Sequence, residues 1–230
     1  MHEVAAPACA LSAQHYQELL SSALQGGYQV QSLAAYHRKP SSPALIVRHD
    51  VDVSLVLAAR MARLEQELGV TTTYFVRVHA ARYNPFSREN YQCLMWLHNA
   101  GFDIGLHHEV GVFPLRPPEA PSSHLRRELM VLEGILGKPV RSVALHLPKR
   151  AAATMETSDL LANNILYEAG DLLFNRGATF VSDSNGFLKP GCPCSLLGGS
   201  SKIYATIHPV WWMDGSFVQD EVRLDLIRGD

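Results

Sequence analysis

No stretch of this chain approaches the roughly 20 consecutive apolar residues needed to cross a bilayer, although hydrophobic residues fill 47% of its 230 positions. Net charge is also small. Twenty Lys and Arg against 22 Asp and Glu leave −2, which argues against a general binder of nucleic acid or anionic membrane. The start, Met1-His2-Glu3-Val4, has no basic segment leading into an apolar core; no secretory signal is visible, and a cytoplasmic location is expected. Cysteine is sparse, at Cys9, Cys93, Cys192 and Cys194. Cys192-Pro193-Cys194 is a tight pair, but no second pair completes a four-ligand zinc site, so reduced thiols and no structural disulfide are expected. No repeat and no low-complexity linker divides the chain. What remains is one domain over residues 1–230 with a sizeable core, in the size range of α/β barrels. Against these shortages stand 11 histidines, the one compositional oddity.

Apolar periodicity divides the chain into alternating elements. Tyr16, Leu19, Leu20 and Leu24 predict a helix stopped at Gly26-Gly27. Residues 44–48 read as a strand, and Leu57, Met61, Leu64 and Leu68 as a helix ended by Gly69. Residues 71–78 are β-branched and aromatic, a strand. Ser87 is a fair N-cap for a helix carrying Tyr91, Leu94, Met95 and His98 on one face, with His98 expected in the core. A short strand spans 102–106, and a proline-rich loop 114–121. Leu125, Leu129, Leu132 and Leu136 make a helix stopped at Gly137, followed by a strand at 141–145. Residues 151–177 are ambiguous, 178–182 and 202–207 are strands, and 217–227 is read as a closing helix. Strand and helix alternating over short connections imply a parallel sheet or barrel.

The first strand ends in Arg48-His49-Asp50-Val51-Asp52. If it continues, Asp50 and Asp52 share a face and His49 takes the other. Two buried carboxylates side by side repel, and a cation removes that penalty. The alternative is that the pair caps the next helix, which begins near Ser54. Other strand ends carry similar chemistry: His79 after 71–78, His107, His108 and Glu109 after 102–106, His146 after 141–145, Asp183 after 178–182, and His208 after 202–207. In a parallel α/β barrel the carboxyl ends of all strands meet on one face, where active sites are built. Histidine and aspartate converging there predict a mononuclear metal site with acid-base partners.

These segments resemble the polysaccharide deacetylase family, the NodB-homology or carbohydrate esterase family 4 group. The resemblance runs over residues 12–212 and rests on the order and spacing of segments. It implies a single-domain distorted (β/α) barrel with mostly parallel strands, and metal-dependent hydrolysis of N- or O-acetyl groups on sugars. Arg48-His49-Asp50-Val51-Asp52 stands for the family's Thr-Phe-Asp-Asp motif with one residue inserted between the acids. Gly101-Phe102-Asp103-Ile104-Gly105-Leu106-His107 resembles the second motif, and Ser142-Val143-Ala144-Leu145-His146-Leu147-Pro148 holds the place of the third. Ser182-Asp183-Ser184 and Ile207-His208-Pro209 match the last two regions. The chain departs from the family at one point: the second metal histidine, four residues beyond the first, is Gly111 here. His146 would complete the ligand set, or His108 or Glu109 would; barrel geometry favours His146.

On this reading Asp52, His107 and His146 hold a divalent metal, zinc first, with cobalt, nickel and iron also suited to Asp and His ligands. Asp50 is the base and His208 the acid. Arg48 holds Asp50 ionised, Asp183 orients His208, and His79, Glu109, Trp211 and Trp212 support substrate or site. One tryptophan is expected to stack on a sugar ring and the other to close the barrel. The expected substrate is an acetylated carbohydrate or sugar precursor. Two other functions fit the same residues: hydrolysis of another non-peptide C–N bond, such as a cyclic amide or ureide, and non-catalytic carbohydrate binding.

Overall fold

Every ladder in the sheet is parallel, as the alternation of strand and helix requires. A computed structural model describes residues 9–109, 121–146, 156–170 and 177–213. The order is α1 (Ala13–Gln25), β1 (Gln29–Gln31), α2 (Leu33–Arg38), β2 (Ala44–Val51), α3 (Leu55–Glu67), β3 (Thr73–Val76), α4 (Arg88–Asn99), β4 (Asp103–His108), α5 (Pro121–Leu136), β5 (Ser142–Leu145), α6 (Thr157–Ala162), β6 (Tyr167–Glu168), β7 (Thr179–Ser182), β8 (Lys202–Ile207) and α7 (Pro209–Met213). Neighbouring strands run β6-β5-β4-β3-β2-β8-β7, with β1 beside the start of β2. The sheet curls into a distorted (β/α) barrel. Tyr204 on β8 reaches across the interior and donates to the Ala169 carbonyl just past β6, at 3.0 Å. The predicted Leu147-Pro148, Gly111, the loop 114–120 and the helix 217–227 lie outside the described residues.

Local chemistry explains the elements. Ser12 and Ser54 cap α1 and α3 by accepting from the His15 and Leu57 N–H groups at 3.1 and 3.2 Å. Ser87 occupies the N-cap of α4 without a side-chain cap bond; its hydroxyl accepts from Asn90 instead, at 2.9 Å. Gly69 and Gly137 follow α3 and α5 with φ of 70° and 66°, a left-handed turn that glycine adopts without strain. β2 is apolar without alternation over 44–47 because both faces are covered. Helices α3, α4 and α5 pack one outer core against Tyr74, Leu106 and Val143. Helices α1, α3 and α7 pack another around Leu45, Val47 and Ile203.

Inside the barrel, side chains sort into layers. Thr73, Asp103 and Ser142 form a polar floor: both hydroxyls donate to Asp103 at 3.1 Å. Ile46, Phe75, Ala144 and Tyr204 make the apolar middle. Gly105 lets Phe75 cross here, since a Cβ would sit 2.5 Å from the ring and 2.9 Å from the Ser142 carbonyl. Above this layer, at the carboxyl ends, the charged residues gather.

Two strands outrun their predicted ends. β2 continues through Asp50 to Val51, and β4 through His107 and His108. Pairing with β3 and β5 carries these polar residues into the sheet despite their weak strand preference. His98 is a correction. It is only partly buried, because α4 turns Leu94 and Leu97 inward instead, and Tyr91 is 43% exposed.

Candidate active site

Alternation along β2 sends Arg48 and Asp50 into the barrel mouth and His49 outward. Arg48 Nη2 lies 2.9 Å from Asp50 Oδ2, and the guanidinium sits over the Phe75 and Tyr204 rings at 5.7 and 6.0 Å from their centroids. Burial alone would raise the Asp50 pKa; Arg48, helped by His107 and His208, overrides it and holds the carboxyl at about 2. Asp52, just past the strand, is also lowered: burial opposes, but His107, His146, His208 and Arg77 surround it. The helix-capping alternative fails, since Ser54 caps α3 and both aspartates are buried among cations.

His107 from β4 approaches both acids, with Nε2 3.5 Å from Asp52 Oδ1 and 3.6 Å from Asp50 Oδ2. Its Nδ1–H donates to the Ala144 carbonyl at 3.1 Å, which leaves Nε2 as a lone pair facing two carboxylates. Burial pushes its pKa down to about 4, so the ring is neutral at neutral pH. His146, at the end of β5, brings Nε2 to 3.7 Å from Asp52 Oδ1, and its Nδ1 is 3.4 Å from Glu109 Oε1. Asp52, His107 and His146 are all buried, and their ligand atoms lie within 4.8 Å of one another.

This group fits a divalent cation on its own evidence. One Asp52 oxygen and both His146 ring nitrogens are buried without a hydrogen-bond partner, a costly state unless something bridges them. An ion between the Asp52 carboxylate and the two imidazoles would satisfy the Asp52 oxygen and His146 Nε2, leave His146 Nδ1 to Glu109, and remove the repulsion between the His107 lone pair and the acids. Glu109 beside His146, and the Ala144 carbonyl behind His107, are the kind of outer partners that orient metal-binding imidazoles.

The neighbouring strand β8 carries a second device. His208 follows β8, its Nε2 3.6 Å from Asp52 Oδ2. Its Nδ1–H and its backbone N–H both donate to Asp183, at 2.6 and 2.9 Å. Burial would lower the His208 pKa, but Asp183, with Asp52 and Asp50, raises it to about 9. Asp183 is fully buried and takes a third bond from Trp212 Nε1 at 2.7 Å.

Most of the predicted rim therefore converges: Arg48, Asp50, Asp52, His107, Glu109, His146, Asp183 and His208. Two expectations are corrected: the sugar-stacking tryptophan and the place of His79 on the rim. Trp211 and Trp212 are 8% and 2% exposed, because α7 folds both into the core between α1 and α3. Neither offers a face to a sugar ring, and Trp212 supports Asp183 instead. His79 is drawn to Glu128 on α5, 3.5 Å away, and faces His124 across 6.2 Å. His108, pointing outward, donates to the same carboxylate at 2.6 Å and leaves the barrel to His107.

Sequence reading missed Arg77. It forms an ion pair with Glu109 and lies 3.9 Å from Asp52 Oδ1. Thr73 and Phe75 point inward from β3 and Arg77, just past its end, keeps that register, so alternation is the signal that places it. It also missed Tyr83, whose hydroxyl donates to the Val51 carbonyl at 2.8 Å and accepts from Arg77 N–H at 3.0 Å. That bond fixes the two strand ends against each other.

The same architecture occurs in solved structures. The chain superposes on the chitin deacetylase from the fungal pathogen Colletotrichum lindemuthianum with TM-score 0.53 and 12% identity, over 89% of this chain and 87% of that one. The fold is the NodB-type barrel. The Streptococcus pyogenes deacetylase PplD, solved with acetate, shares this barrel at TM-score 0.50 and 12% identity, over 97% of this chain and 93% of that one. No protein-family model and no curated protein matches the sequence. At 12% identity the likeness establishes the NodB barrel alone, and among the described residues no helix is long and apolar enough to cross a membrane.

Proposed function

We propose that this protein is a metal-dependent hydrolase that removes an acetyl group from a sugar or sugar precursor. The observation that carries the proposal is the His107 tautomer. Its Nδ1–H is spent on a carbonyl, so its Nε2 lone pair faces Asp52 beside the unpartnered His146. Asp52, His107 and His146 would hold the ion. When bound, a divalent metal supplies Lewis acidity at an acyl oxygen and makes a water easier to deprotonate.

The chain's own groups supply the proton transfers. Asp50, kept ionised by Arg48, takes a proton from the attacking water. His208, protonated through neutral pH, donates one to the departing amine or alcohol. Asp183 holds that imidazole by two bonds, so Nε2 is the nitrogen presented to the mouth. Arg77 pairs with Glu109 and keeps its carboxylate beside His146. Two acid-base groups therefore stand beside the proposed ligands, one tuned low and one tuned high, as an acyl transfer requires. The deacetylase neighbours point to the same acetylated-sugar class.

The test is acetate release from a panel of N- and O-acetylated sugars, with cyclic amides and ureides as competitors. Asp50→Asn should bind metal as the wild type does and lose at least about 100-fold in turnover, the usual range for a general base. Full turnover by metal-loaded Asp50→Asn eliminates Asp50 as the base. Preference for the cyclic amides shifts the reaction class.

A further inference from the structure

A second constellation lies behind α1, away from the barrel mouth. Cys9, His15, Cys192 and Cys194 bring their ligand atoms within 4.8 Å of one another. Cys9 Sγ is 3.4 Å from Cys194 Sγ, and His15 Nε2 is 3.2 Å from Cys192 Sγ. All four of the chain's cysteines are free thiols, and 3.4 Å is far outside the roughly 2.05 Å of a disulfide. We infer that these three cysteines and His15 form a structural zinc site.

Donor chemistry and geometry select this ion. Three soft sulfurs and one imidazole are a closed four-ligand set of the structural-zinc type, without a position for substrate. A tetrahedron with Zn–S of about 2.3 Å spaces its sulfurs by about 3.8 Å. The Cys9–Cys194 separation is a few tenths of an ångström tighter and the whole set lies within 4.8 Å, differences that small side-chain rotations close.

His15 and the Cys192–Cys194 turn are already held. The Ser12 cap fixes the first turn of α1 and with it His15. Glu18 Oε2 lies 3.6 Å from His15 Nδ1, while Nε2 faces Cys192. Ser195 donates to the Cys192 carbonyl from both its hydroxyl and its N–H, at 2.8 and 3.1 Å, and shapes the Cys-Pro-Cys turn. Binding forms three Zn–S bonds and one Zn–N bond, and releases the three thiol protons to solvent.

The site would join two segments distant in sequence: residues 9–15, leading into α1, and the turn between β7 and β8. It also backs the proton donor. The His15 ring stacks on Trp212, with centroids 5.9 Å apart and planes 12° apart, and Trp212 donates to Asp183, which holds His208.

Cobalt(II) separates this site from the central one, because thiolate ligation adds an intense sulfur-to-cobalt charge-transfer band that oxygen and nitrogen ligands lack. Wild-type protein, purified with reduced thiols and loaded with cobalt, should show the band. Asp52→Ala should keep it, and the double variant Cys192→Ser/Cys194→Ser should lose it, together with one zinc per chain by elemental analysis. If the double variant fails to fold, chelated Asp52→Ala protein should still gain thermal stability on adding zinc, with protection of its thiols from alkylation. Absence of the band in folded, reduced wild type overturns the assignment. So does a Cys9–Cys194 or Cys192–Cys194 disulfide in protein prepared with zinc and without oxidant.

Discussion

At the residue scale the site works by moving two pKa values apart. Asp50 is buried and His208 mostly so, yet desolvation decides neither, because each faces a fixed counter-charge: Arg48 for one and Asp183 for the other. The sign for His208 follows directly. Its value of about 9 lies above the ordinary 6.5, so the protonated form is favoured, and donor function is present below about 9 and lost as pH rises through it. Asp183→Asn removes the main raising charge but keeps a group able to accept the backbone N–H. It should move the alkaline limb of kcat/KM to lower pH by about 1–3 units while metal content stays unchanged. An unmoved limb would show that Asp183 only fixes the loop. These assignments were partly legible beforehand. Alternation placed Asp50 and Asp52 on one face and His49 on the other, and strand ends singled out His107, His146, Asp183 and His208. The tryptophans misled because an aromatic pair after a catalytic histidine reads equally as platform or core, and only the burial of α7 separates the two.

At the scale of elements, one carboxylate ties four of them together. Glu65 on α3 is fully buried. It accepts from Tyr16 of α1, from His49 of β2 at 2.7 Å, from Thr72 at 2.9 Å, and from Tyr74 of β3 at 2.8 Å. Four donors satisfy the charge, so the cost of burying it is met only while the network is whole. Glu65→Ala should therefore destabilise the fold by about 3–5 kcal/mol, a large share of the roughly 5–15 kcal/mol of a typical domain. The measurement is the urea midpoint at unchanged slope; a loss under about 1 kcal/mol would mean water enters and replaces the carboxylate. None of this network was visible in the sequence. Glu65 reads as one more polar residue of an amphipathic helix, and its partners are spread from residue 16 to 74. The α3 helix itself was plain, because its apolar spacing and its serine cap are local.

For the whole molecule, the barrel stores unfavourable contacts where its strand ends converge. The His107 lone pair faces Asp52 at 3.5 Å and Asp50 at 3.6 Å, an arrangement that cation binding stabilises. A metal at 100 times its dissociation constant adds about 2.7 kcal/mol, or about 5–10 °C in melting temperature for a chain of this size. Measured in the Cys192→Ser/Cys194→Ser background, that shift reports the central group alone, and Asp52→Ala should abolish it. A shift that survives Asp52→Ala would place the ion elsewhere.

The sequence by itself determined the alternation of strands and helices, the parallel sheet and the rim on which His and Asp collect. Those depend on periods of two and 3.6 residues and on capping, all of which act over a few positions. Tertiary structure alone decided which rim residues meet. It chose His146 rather than His108 to stand beside His107 and Asp52, sent His79 to Glu128, and brought Arg77 to Asp52. It also carried Cys9 and His15 to a Cys-Pro-Cys turn more than 170 residues away. The curl and stagger of the sheet set these distances, and they arise from packing along the whole barrel, which no local pattern encodes.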